Sequence, residues 1–142
     1  MAHPGTNGAA ALTDLLAGRL AQARSRALEG PPELRMAVAA ELGDAAAARA
    51  ELAEAGEGPL AAYARGRLCL LAEDVEGALA AFDDAARSET PELAHAAREA
   101  AIEALLDRDG PVDASAAATR LAEARAALSG PEPLGLRWLV AR

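Results

Sequence analysis

The chain has 142 residues, suited to one domain, and a net charge of −8 in which all 14 cationic residues are arginine. It contains 42 alanines and 21 leucines against five valines and isoleucines together, and its only aromatics are Tyr63, Phe82 and Trp138. Alanine and leucine favour helix while β-branched and aromatic residues favour strand, so a sheet is excluded, and the lack of a basic cluster excludes nucleic acid and anionic membrane as partners.

Residues 1–8 read as a disordered tail without the cationic start and long apolar stretch of a secretory signal. Glycine and proline then divide the chain at Gly30-Pro31-Pro32, Gly43, Gly56 to Pro59, Thr90-Pro91, Gly110-Pro111 and Gly130-Pro131. The segments between these breaks predict eight helices, at 10–28, 32–42, 44–55, 60–73, 75–88, 91–107, 114–128 and 132–141. Asp44, Asp74, Thr90 and Asp113 stand where N-caps belong. Connections this short fold consecutive helices back as antiparallel hairpins. No apolar run approaches the length of a membrane span, and a cytoplasmic location follows. Buried alanine contributes little apolar area and buried leucine roughly 2 kcal/mol, so the few large residues carry most of the core.

The segment Pro59 to Pro91, PLAAYARGRLCLLAEDVEGALAAFDDAARSETP, resembles one tetratricopeptide repeat. The resemblance implies that Gly66 is the small residue over which the second helix packs closely. It also places the small–aromatic–small series of that second helix on Ala78, Phe82 and Ala85, which share one helical face. A second copy starts at Gly43-Asp44 and continues through Ala48, Leu52 and Ala55. A third uses Ala117, Leu121 and Ala124, with Ala97, Ala100, Ala101 and Ala104 as the packed face of its first helix. The copies are separated by 30 residues (Ala48 to Ala78) and 39 (Ala78 to Ala117), against a family period of 34. Ala62 and Cys69 replace the family's usual large aromatics, and Arg65 stands where leucine is usual. The resemblance implies a single all-α domain over 9–142, a short right-handed solenoid of stacked hairpins. The helices at 10–28 and 132–141, the latter through Leu134, Leu136, Trp138 and Leu139, would close its ends.

Family ligands lie in the groove made by the first helix of each pair, which places Glu33, Tyr63, Arg67, His95, Arg98 and Ile102 on the concave face. Tyrosine and arginine are favoured interface anchors, although Tyr63 could equally be core and Arg67 a solvated charge. The family's lysine- and asparagine-based carboxylate pocket is absent, because the chain has no lysine and Asn7 is its only asparagine.

Other constellations give less. His95, Glu99 and Glu103 repeat every four residues on one helix, a spacing that suits a solvated charge ladder better than one metal ion. Asp107, Asp109, Gly110 and Val112 echo half a calcium loop, but Leu105 and Ala116 occupy its first and last ligand positions. Cys69, the only cysteine, sits in an apolar run and reads as a small hydrophobe. No phosphate loop, nucleophile elbow or paired metal histidines occur. The sequence therefore points to a non-catalytic adaptor that holds a peptide or partner protein without a cofactor or metal. The alternatives are a structural protein pairing with itself through Trp138 and Leu139, and a small ligand-binding helical domain.

Overall fold

The computed structural model describes residues 14–127 apart from 18, 29 and 109. The predicted tail, the helix at 132–141 with Trp138 and Leu139, and the calcium-loop position Asp109 lie outside the described residues. Those described are all-helical, with no strand: α1 (Leu20–Ala27), α2 (Pro32–Glu41), α3 (Ala45–Ala50), α4 (Pro59–Leu71), α5 (Val75–Ala85), α6 (Pro91–Arg108) and α7 (Asp113–Ala126), with residues 14–16 also helical. None of these helices is long and apolar enough to cross a membrane.

Local chemistry sets most boundaries. Pro32 and Pro59 occupy the first turns of α2 and α4, and the residues before them, Pro31 and Gly58, are extended at ψ 159° and 171°. This is the conformation that a following proline imposes. The turns from α2 to α3 and from α4 to α5 are copies of one another. In the first, Gly43 has φ 80° and the Asp44 N–H donates to the Ala39 carbonyl at 2.9 Å. In the second, Glu73 has φ 60° and the Asp74 N–H donates to the Cys69 carbonyl, again at 2.9 Å. Each aspartate then caps the next helix, Asp44 accepting from the Ala47 N–H at 3.0 Å and Asp74 from the Gly77 N–H at 2.9 Å. A left-handed residue closing one helix and an Asx cap opening the next recur 30 positions apart, at 43–44 and 73–74.

Besides shifts of one to three residues at other helix ends, three local readings differ from those predicted. The helix expected over 10–28 is broken at Arg19, whose ψ of 70° is not helical, and α1 starts at Leu20. The helix expected over 44–55 stops at Ala50, where Glu51 is drawn to Arg35 of α2 by a two-pronged ion pair at 3.0 Å on each arm. Leu52, the predicted knob of the second copy, is consequently 40% exposed, although Ala48 and Ala55 are buried as expected. Asp113 does not cap α7 across its own first turn. Its carboxylate turns back to the Gly110 N–H at 2.7 Å and to Arg108 at 2.7 and 2.9 Å.

The core forms two apolar clusters that meet at α4. One gathers Leu15, Ala23, Ala27, Leu34, Met36, Val38 and Ala48 against Ala61, Ala64 and Leu68. The other gathers Phe82, Leu93, Ala97, Ile102, Leu105 and Ala117 against Ala62 and Tyr63. With apolar residues on both sides, α4 serves as the wall shared by the two clusters. Gly66 makes this possible: a Cβ there would fall 2.5 Å from Cε1 of Phe82, closer than atoms can approach. Phe82 is 1% exposed, and its ring lies 5.8 Å from that of Tyr63 at 52°, a tilted aromatic pair. Ala78 and Ala85 are fully buried beside it.

Each helix packs on the next, and α2 also packs on α4, as α4 does on α6. Among the described residues, no helix touches another more than two places along the chain.

Candidate functional site

One polar grouping joins three residues from α2 and α4. Tyr63 and Arg67 lie one helical turn apart on α4, and both reach Glu41 at the end of α2. The Tyr63 hydroxyl donates to Glu41 Oε1 at 3.1 Å. Arg67 grips the same carboxylate through Nε at 2.8 Å and Nη2 at 3.2 Å. Burial, then the nearby Glu41 charge, pushes the Tyr63 hydroxyl well above the usual tyrosine range, so it remains a donor at any physiological pH. The guanidinium is thus held by two bonds to one carboxylate, while the side chain stays partly open to solvent.

Beyond Arg67 a groove of about 540 Å3 opens between α4 and α6. Its apolar lining is Leu70, Val75, Ala100 and Ala104, and its charged lining is Arg67, Glu73, Glu103, Asp107 and Arg108. The volume falls within the roughly 300–1,000 Å3 usual for binding clefts. Arg108 is held as firmly as Arg67: it bonds Asp113 twice and Glu76 of α5 at 2.9 Å, tying α5, α6 and α7 together at one end of the groove. Asp113 is 2% exposed, and the Arg108 guanidinium, with the Gly110 N–H, holds its carboxyl below the usual carboxylate range. On α6, burial and then the like charge of Glu103 raise the Glu99 carboxyl.

Among the predicted partner-binding residues, Arg67 is the one that lines this groove. Tyr63 is buried and acts through Glu41. Ile102 is 1% exposed and belongs to the core, so it offers no surface to a partner. Glu33 lies at the first turn of α2, in the field of Arg35 and away from the groove. Arg98 reaches the Ala86 carbonyl at 3.5 Å and lines a separate hollow of about 190 Å3 with Asp83, Arg120 and Glu123. His95 is half-buried, and its Nδ1 is buried without a hydrogen-bond partner. The cause is helical phase. Positions 95, 98 and 102 form one stripe of α6; positions 100, 103, 104 and 107 form another, rotated by about 150° at 100° per residue.

The remaining candidates resolve into structural roles. Burial raises the Cys69 thiol, which disfavours the reactive thiolate. The Arg65 guanidinium reaches the Gly56 carbonyl, closing the loop before α4 and accounting for its departure from leucine. No three histidine, cysteine, aspartate or glutamate side chains converge on a common point among the described residues. Sequence reasoning missed Glu41, Glu73 and Arg108. Glu41 finds its partners 22 and 26 positions away, a pairing without a local signal.

Comparison with models of known protein families, with curated proteins and with solved structures finds no match for this chain.

Proposed function

We propose that this chain is a non-catalytic protein-interaction module, a short stack of antiparallel, tetratricopeptide-like hairpins that presents the α4–α6 groove to a partner polypeptide. One observation carries the reading: among the described residues, helices touch only neighbours up to two places along the chain, and a groove opens between α4 and α6. A closed bundle would return its last helix to its first and fill that space. The copied turns at Gly43-Asp44 and Glu73-Asp74, and the packing of Phe82 over Gly66, favour repeated hairpins as its origin. The residues on the groove suit recognition better than chemistry. Its arginines are committed to ion pairs, and its lining among the described residues includes no histidine, cysteine, serine or threonine.

The test is affinity capture from the source cell, with proteins identified by mass spectrometry. It compares the natural chain with Glu73→Ala/Glu103→Ala, both exposed on the groove. Tyr63 stays intact, because removing a buried ring would confuse loss of binding with loss of fold. We expect the double variant to melt as a single cooperative unit and to lose the captured partner. Equal capture by that folded variant would remove the groove from the account.

A further inference from the structure

The groove is electrostatically one-sided, although arginines line it. Arg67 is neutralised by Glu41, and Arg108 faces both Asp113 and Glu76. Beyond these pairs, the exposed carboxylates of Glu73 and Glu103 give the rim its negative charge. Glu99 lies one turn before Glu103 on α6, and its carboxyl is raised by burial first and then by the like charge of Glu103. Between the rims lies an apolar strip made by Leu70 and Val75 on one side and Ala100 and Ala104 on the other. Leu70 and Val75 are half-buried and offer part of their side chains to the groove, over the buried Ala100 and Ala104.

We propose that the α4–α6 groove docks a cationic segment of a partner protein, one carrying an arginine or lysine beside an apolar side chain. The long aliphatic stem of that cation lies on Leu70, Val75, Ala100 and Ala104, and its charged head meets Glu73 and Glu103. Arginine and lysine are suited to this division, because their stems cover apolar surface while their heads seek charge. The ion pairs already present in the groove give the site its sign. Arg67 and Arg108 are fixed away from an incoming cation, and an incoming carboxylate finds no unpaired guanidinium among those lining the groove. A polyamine shares the charge and the methylene stem but lacks the apolar side chain that the partner sets beside its cation, so the proposed occupant is a polypeptide. This inference rests on the interaction-module reading and adds the chemistry of the partner.

The experiment selects random linear peptides displayed on phage against the full chain, then measures the enriched sequences by fluorescence anisotropy. The expected result is enrichment of arginine or lysine next to leucine, isoleucine or phenylalanine. Affinity should fall about tenfold in Glu73→Lys/Glu103→Lys, whose two sites are exposed, and should weaken as salt screens the contact. Enriched peptides that are acidic, or that bind the lysine variant equally well, would overturn the inference while leaving an interaction module elsewhere on the surface. Displacement of a selected peptide by spermine at matched charge would overturn the apolar part of the site. If no peptide is enriched, both this inference and the interaction-module reading fail.

Discussion

Gly66 and Phe82 are the pair on which the packing of α4 against α5 depends most. A single methyl at Gly66 would meet the Phe82 ring at 2.5–2.9 Å, and the ring is enclosed on its other sides. Gly66→Ala should therefore destabilise the fold by about 1–3 kcal/mol, despite alanine's better helix propensity, because overpacking outweighs propensity here. Urea unfolding followed by circular dichroism checks the sign: a more stable variant would mean that the helices are not in close contact. Glu73 offers the opposite case. It holds φ 60°, where a Cβ is unfavourable, while the matching turn uses Gly43 at φ 80°. Glu73→Gly should raise stability by up to about 1 kcal/mol, visible as a melting point a few degrees higher.

The elements were largely legible in the sequence, since prolines at first turns and aspartate caps are local signals that need no tertiary knowledge. The early end of α3 was not, because it depends on Glu51 reaching Arg35 on another helix. Asp113 was legible as a polar residue at a helix start, but not as a clamp, because its partner Arg108 belongs to the preceding helix. The candidate site was legible only at Arg67. The others were assigned by family register, whereas the groove is set by the phase of α6 against α4. The clamp has a pH signature. The carboxyls of Asp113 and Glu51 are both lowered by their arginines, so the folded state resists protonation at these groups more than the unfolded chain does. Their contribution is present above the unfolded values of about 3.9 and 4.3. It is lost as pH falls through the lower folded values. The melting point should hold from neutral pH to about pH 5 and fall below about pH 4. Asp113→Asn should melt lower at neutral pH and lose less on acidification; an unchanged acid profile would mean that the clamp does not form.

At the scale of the whole molecule, two alanine-rich clusters share one wall. Small side chains let helix axes approach closely, and among the described residues each helix contacts only neighbours up to two places along the chain. Among the described residues a groove stays open between α4 and α6, the face on which the proposed function depends. A closed bundle of the same helices would require α1 and α7 to approach each other, so their separation distinguishes the two architectures. The most direct measurement is electron–electron double resonance between spin labels at Arg24 and Ala122, both exposed, in a Cys69→Ala background. The path from α1 through α2, α4 and α6 to α7 comprises successive helix contacts of about 8–10 Å each, so the open stack predicts a label separation beyond about 25 Å. A dominant separation under about 20 Å would place α1 against α7 and contradict the account.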